Sequence, residues 1–158
     1  MNPANQDTPP VLHEGDHYRH SSFGSLEDVA QWQFAGIGGK LFLKEALGLS
    51  SMEVSVNVMQ PGQGMPFLHS HRQNEELYVF LSGSGQFMVG ESVFNVGPGS
   101  CVRVDPAGVR CWRNTGNKPL HFLCIQSPAG GLSSQFLEDG VGAGRPHWNR
   151  PTQEETEA

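Results

Sequence analysis

The side chains most able to support chemistry lie in one stretch, GQGMPFLHSHRQNEELYVFLSG, which runs from Gly62 to Gly83. His69 and His71 are two residues apart, so both imidazoles would point to the same face of an extended segment. Glu76 follows them, and two imidazoles with one carboxylate suit a divalent ion such as Fe, Mn, Ni, Cu or Zn. An isolated His-x-His beside a glutamate would be interpreted as an exposed surface segment. The surrounding sequence pattern is therefore needed to choose between a surface segment and a metal site.

The composition limits the class of protein. The chain has 158 residues, which is enough for one domain with a buried core. Its formal net charge of -6 argues against a nucleic acid or an anionic membrane as the main partner. We find no transmembrane-length apolar run, and the start, MNPANQDTPP, lacks the features of a signal peptide. Three cysteines without a CxxC pattern fit reduced thiols, so we expect a cytoplasmic protein.

From Lys40 onwards the sequence has the pattern of short strands separated by glycine and proline turns. Val54, Val56 and Val58 alternate with polar residues, as in a half-buried strand. The predicted strands cover residues 40–45, 52–60, 86–89, 92–96, 102–104, 110–113 and 120–126. Strands every eight to twelve residues indicate an all-β barrel or sandwich.

The two ends of the chain have a different character. Residues 1–39 are predicted to form an N-terminal arm with a short helix, which starts near the N-cap pattern Ser25-Leu26-Glu27-Asp28. The arm also carries three closely spaced histidines that could ligate a metal, namely His13, His17 and His20. No helix or strand pattern holds them on one face, so we favour a mobile arm or a segment lying over a neighbouring subunit. Residues 40–128 would form the barrel, and residues 129–158 an irregular, partly disordered tail.

The order of these motifs resembles the cupin family over about residues 54–126. Cupins have a first motif of Gly, His-x-His, Glu and Gly, and a second of Gly, Pro-x-Gly, His and Asn. This chain supplies Gly62 or Gly64, His69, His71, Glu76 and Gly83 for the first motif, and Gly99, Pro106, Gly108 and Asn114 for the second. The spacing to Gly83 selects Glu76 over Glu75. The resemblance implies a small, single-domain cupin of bacterial type, whose fold is a double-stranded β-helix or jelly roll, with His69, His71 and Glu76 on a metal.

The resemblance is incomplete at the fourth ligand, because the second-motif histidine is missing. Counting from the Pro-x-Gly turn puts Cys111 in its place, whereas counting back from Asn114 puts Arg110 there. A cysteine thiolate could complete the metal site, but an arginine has no free lone pair and cannot ligate. The bulky Trp112 favours the inside of the barrel, and alternation would then place Arg110 inside and Cys111 on the other face. We favour Arg110, and both alternatives stay open at this point.

The expected function is that of a metal-binding cupin acting on, or binding, a small polar and acidic organic molecule. Dioxygenase, isomerase or lyase chemistry would suit a metal with open positions. Arg110 and Tyr78 are the candidate catalytic residues, since an inward arginine would suit a carboxylate. Loss of the fourth histidine supports an alternative, a non-catalytic cupin that binds a small ligand and has a degenerate or vacant metal site.

A homodimer is the expected assembly. Cupins commonly pair sheet to sheet, and the arm contains the apolar residues Phe23, Trp32 and Phe34, which would need cover if they were exposed. We therefore expect residues near 20–45 to contribute to the subunit interface.

Overall fold

The computed structural model describes residues 8–132 and 136–148 of the chain. Over these ranges it contains twelve β-strands, one 3₁₀ helix and two single-turn α-helices. The elements in chain order are β1 (Val11–Gly15), β2 (Tyr18–Ser21), the 3₁₀ helix (Glu27–Gln31), β3 (Gln33–Phe34), β4 (Ile37–Gly38), β5 (Lys40–Phe42), α1 (Lys44–Leu47), β6 (Glu53–Met59), β7 (Asn74–Ser82), β8 (Gly85–Val89), β9 (Ser92–Val96), β10 (Cys101–Val104), β11 (Arg110–Asn114), β12 (Leu120–Pro128) and α2 (Phe136–Asp139). The predominance of short strands confirms the prediction of an all-β protein.

Two antiparallel sheets form the barrel. The larger has the strand order β10-β7-β12-β6-β5, and the smaller has the order β11-β8-β9. The two nine-residue strands, β7 and β12, pair in the middle of the larger sheet, where Phe122 lies opposite Phe80 and Pro128 opposite Asn74. Side chains from both sheets contribute to one hydrophobic core. The chain therefore has the jelly-roll barrel that the resemblance implied.

The core between the sheets is dominated by aromatic side chains. Along β7, Tyr78 and Phe80 are 0% and 1% exposed, whereas Leu77 between them is 37% exposed, as expected for alternating faces. From the opposite sheet, Phe87 stacks on Trp112 with ring centroids 5.7 Å apart. Full burial of side chains of this size contributes about 1.5–3 kcal/mol each. These rings form a rigid layer across the barrel.

The N-terminal segment packs on the outer face of the larger sheet. Val29 and Trp32, at the 3₁₀ helix, join Leu41, Val56 and Val58 in a second hydrophobic cluster. Trp32 is only 7% exposed, so the expectation that it needs cover from another subunit is wrong.

The predicted N-cap pattern is present where this helix begins. The Ser25 backbone N–H donates to Asp28 Oδ2 at 2.7 Å, and the Ser25 hydroxyl lies 3.0 Å from the same oxygen. A helix was therefore predicted correctly at this position, although its turns are 3₁₀ rather than α. Asp28 thus accepts from one backbone N–H just before the helix, whereas Leu26, at the N-cap position itself, has no side-chain capping hydrogen bond.

The first two strands were not predicted from the sequence. β1 and β2 pair as an antiparallel hairpin in which His13 lies opposite His20, and these two rings stack at a centroid distance of 5.3 Å. The prediction that no strand holds these histidines is therefore wrong. The hairpin is mostly exposed, so it lacks the alternation of apolar and polar residues that identifies a half-buried strand.

Several element boundaries differ from the predictions. The strand expected over residues 40–45 ends at Phe42, and α1 follows, closed by Gly48 in the left-handed conformation at φ 66°. In the tail, α2 interrupts the irregular segment, while residues 153–158 lie outside the described residues. The division into 1–39, 40–128 and 129–158 stays a prediction. In the described ranges, no helix is long and apolar enough to cross a membrane.

Candidate metal centre

Strand β7 brings Glu76 into the barrel. Glu76 shares the inner face with Tyr78 and Phe80, and only 4% of it is exposed. A carboxylate at this depth loses most of its hydration, so it must be matched by cations or by hydrogen-bond donors. The surroundings of Glu76 are therefore the main clue to what the site does.

Backbone hydrogen bonds to β11 and the preceding turn hold the two histidines. His69 and Arg110 exchange a pair of them, with N···O distances of 3.0 and 3.3 Å, and the His71 N–H donates to the Pro106 carbonyl at 2.8 Å. The segment joins β11 through two isolated bridges, His69–Arg110 and Gly64–Arg113, rather than as a full strand. The His69 ring lies beside the aromatic layer, at a centroid distance of 5.8 Å from Trp112.

The three side chains converge on a small volume. His71 Nε2 lies 3.1 Å from Glu76 Oε1, and His69 Nε2 lies 3.6 Å from Glu76 Oε2. One candidate ligand atom from each residue lies within 4.8 Å of the other two. For metal–ligand bonds of about 2.1 Å, neighbouring ligand atoms are separated by about 3.0 Å in an octahedron and about 3.4 Å in a tetrahedron. The two N···O separations, 3.1 and 3.6 Å, are close to those of ligands around one ion.

One buried nitrogen of each histidine lacks a hydrogen-bond partner among the described residues. In His71 it is the Nε2 that faces Glu76, whereas in His69 it is Nδ1, and Nε2 is the atom nearer to Glu76. His71 Nε2 is close to Glu76 but is not aligned for a hydrogen bond, which is unusual for a buried polar atom. Burial lowers the pKa of His69, although the charge of Glu76 opposes this, so its imidazole is neutral near pH 7. The donor set therefore fits a divalent ion.

Comparison with known proteins identifies the family. The sequence model described as "Cupin domain" matches residues 55–126. A cupin protein from Bacteroides fragilis with a known crystal structure is 34% identical, with 82% of this chain and 99% of that chain covered and a TM-score of 0.70. The chain belongs to the cupin family. Cupins commonly bind a divalent metal, and the His69, His71 and Glu76 group is a possible site for one in this cupin.

Two further relatives show how far the similarity extends. A predicted oxalate decarboxylase from Thermotoga maritima is 26% identical, with 56% of this cupin and 78% of that chain covered and a TM-score of 0.51. An uncharacterised protein of Methanocaldococcus jannaschii is 34% identical over 61 residues. This cupin spans about half, 49%, of the length of that curated relative.

Arg110 occupies the interior next to Glu76. Its side chain is fully buried, and its Nη2 and Nε donate to Glu76 Oε2 at 2.8 and 3.2 Å. Its Nη1 donates to the Gly108 carbonyl at 2.6 Å. All three nitrogens of the guanidinium are thus engaged by the protein. In this cupin, a fixed positive charge stands where the family resemblance implied a fourth ligand.

Tyr78 completes the set of donors to the same carboxylate oxygen. Its hydroxyl hydrogen-bonds to Glu76 Oε2, and burial raises the pKa of Tyr78, so the phenol stays protonated. Burial alone would raise the pKa of Glu76, but hydrogen bonds from Tyr78 and Arg110 outweigh it and leave this pKa below its ordinary value. Oε2 is therefore held by the protein, and Oε1 is the oxygen that faces His71. Ligating carboxylates commonly have such hydrogen-bonded support.

The two cysteines near the site have different positions. The Cys111 thiol contacts the Met65 carbonyl at 3.5 Å and is not part of the histidine–glutamate group, as the alternation argument predicted. Cys124, which the sequence analysis did not place in the site, donates its thiol to Glu76 Oε1 at 3.4 Å. Burial raises the pKa of Cys124 to about 12, so it is a neutral thiol. The sequence could not place Cys124 beside Glu76, because this contact depends on the strand register that sets Cys124 opposite Tyr78.

Proposed function

We propose that this protein is a metal-dependent cupin in which His69, His71 and Glu76 hold a divalent ion that acts on a small organic anion. The observation that carries the proposal is the convergence of these three side chains with buried, unpartnered nitrogens. When bound, the ion would supply a Lewis acid with open positions for a substrate. Dioxygenase, isomerase and lyase reactions are all compatible with that chemistry.

The preference for an anion is supported by the charge balance. Histidines ligate a metal in their neutral form, and the charges of Glu76 and Arg110 cancel. A divalent ion would therefore leave about two positive charges in excess in a poorly hydrated site. Arg110 contributes to this excess by neutralising Glu76 and not by direct contact, since its side chain is fully buried and each of its three nitrogens already donates to the protein. The Thermotoga maritima relative is named for a reaction of oxalate, which is a small dianion.

Metal analysis of variants tests the proposal. In protein from metal-replete medium, we expect one divalent ion per site, and its loss in the double variant His69→Ala with His71→Ala. The matched control is His13→Ala with His20→Ala, which removes the same number of histidines from the exposed hairpin. Mass spectrometry should find the control as metal-rich as the unchanged protein. Equal metal content in both double variants would refute the ligand assignment.

A second candidate, favoured by the buried ion pair, is a ligand-binding cupin that works without metal. The 2.8 Å contact between Arg110 and Glu76 neutralises the carboxylate without any ion. The variant Arg110→His discriminates, because it restores a nitrogen donor at that position. If the unchanged protein is metal-free and this variant binds zinc, the second candidate is correct.

We also retain the proposals of a cytoplasmic location and of a homodimer formed through residues near 20–45. Phe34 and Ile37 in this segment are 43% and 51% exposed, and they provide apolar surface for a partner. Light scattering at micromolar concentration should give twice the monomer mass. A monomer under those conditions would contradict the dimer.

A further inference from the structure

A second cavity lies beside the candidate metal centre. It has a volume of about 410 Å³ and lies between strands β5 and β6 and the segment of residues 63–66. This volume is in the range of small-molecule sites. Its walls are largely apolar and include Val58, Met59, Met65, Pro66, Trp112 and Phe122. His69, His71 and Glu76 do not line it, although Trp112, which contacts His69, does.

Trp112 presents an unused hydrogen-bond donor in this region. The residue is 5% exposed, and none of the described residues accepts a hydrogen bond from its Nε1–H. Buried indole N–H groups almost always have an acceptor. Trp112 also borders a groove on the outer face, but the cation there, Arg113, already donates to Gln86. Of these two cavities, the one beside Lys40 has a lining cation that forms no ion pair with a described residue.

Lys40 is the cation of this cavity. It lies on β5 opposite Asn57, is half-buried, and forms no ion pair with any residue of the described ranges. Its ammonium forms a cation–π contact with Phe42, in which Nζ lies 5.1 Å from the ring centroid. Burial lowers the pKa of Lys40, while the negative charge of Glu76 acts in the other direction. A lysine held partly out of water without a carboxylate is suited to an anionic ligand.

We propose that this cavity binds an organic anion with an apolar body. Lys40 pairs with the anionic head, and the Trp112 ring lines the wall against which the ligand lies. Met59, Met65 and Phe122 contact the apolar part. The site stands on these contacts alone, so it does not depend on whether the neighbouring histidines hold a metal.

The experiment follows the Trp112 indole N–H by NMR in the full-length protein. The chain has three tryptophans, so Trp32 and Trp148 serve as internal controls. The probes are 3-phenylpropionate and hexanoate, each compared with its uncharged amide. We expect saturable shifts of the Trp112 resonance with both carboxylates, unchanged Trp32 and Trp148 resonances, and binding to the amides weaker by about tenfold or more.

Three variants test whether the carboxylates bind in this cavity and not elsewhere. Lys40→Met should weaken carboxylate binding by about tenfold or more, the factor expected for one charged hydrogen bond. The control Lys44→Met removes an exposed lysine close in sequence and should bind normally. The double variant His69→Ala with His71→Ala should also bind normally, with or without chelator. Absence of any Trp112 shift, equal binding of acids and amides, or loss of binding in the histidine variant would overturn the proposal.

Discussion

Replacing Arg110 by methionine should reveal how much the site depends on its internal charge balance. The substitution keeps most of the side-chain volume but leaves Glu76 as an unmatched carboxylate, with a side-chain exposure of only 5%. Removing one partner of a buried ion pair costs about 3–5 kcal/mol, because the remaining charge stays away from water. We therefore expect chelator-treated Arg110→Met to lose about that much unfolding free energy near neutral pH.

The pH dependence of this loss follows from the direction of the pKa shift. In the unchanged protein the pKa of Glu76 is lowered, so its stabilising contribution is present above the ordinary value of 4.5 and is lost as the pH falls through the folded-state pKa. In Arg110→Met, burial would dominate and raise this pKa, so protonation of Glu76 would relieve the penalty. The difference in stability between the two proteins should therefore be largest near neutral pH and shrink towards acidic pH.

Urea unfolding followed by tryptophan fluorescence measures both effects. The matched control is Arg103→Met, which breaks the pairs with Glu75 at 3.1 Å and Asp105 at 2.9 Å, where the arginine side chain is 60% exposed. Exposed pairs contribute about 0–1 kcal/mol, so the control should change little. Adding Glu76→Gln to Arg110→Met should recover part of the lost stability, since it removes the orphaned charge. A loss below about 1 kcal/mol at neutral pH, or one that does not vary with pH, would refute the reasoning.

Three further predictions concern other parts of the molecule. Cys111→Ser should leave the metal content measured by mass spectrometry unchanged, and a metal-poor variant would show that the thiol is a ligand after all. Trp32→Ala should cost about 3–5 kcal/mol in urea unfolding and Phe34→Ala much less, because only the first is buried; equal losses would contradict the packing. Thiol labelling of the folded protein should modify the exposed Cys101 quickly and Cys124 only after unfolding, since burial raises the pKa of Cys124 to about 12; rapid labelling of Cys124 would show an open site.

The sequence was informative where local rules decide the position of a side chain. The shared face of His69 and His71 and the alternation around Trp112 depend only on strand periodicity, and the structure has Arg110 inside the barrel. Turn residues and short strands, which are also local signals, indicated an all-β barrel or sandwich, while the choice of Glu76 and of the jelly roll came from the resemblance to the cupin motifs.

The remaining features depend on contacts between distant segments. The bond from Cys124 to Glu76 depends on the register of β12 against β7, which alternation alone does not fix. The burial of Trp32 depends on which face of the sheet the N-terminal segment covers. The engagement of all three Arg110 nitrogens could not be foreseen either, because it needs the positions of Glu76 and of the Gly108 carbonyl at the same time.

An anomalous-diffraction map of crystals soaked with zinc tests the central claim most directly. The account predicts one strong peak about 2.0–2.2 Å from a ring nitrogen of His69, a ring nitrogen of His71 and Glu76 Oε1. Arg110 and Tyr78 should keep their hydrogen bonds to Oε2 in the same crystals. A zinc-soaked crystal with no peak between these three side chains, or with its ion bound by other residues, would contradict the account.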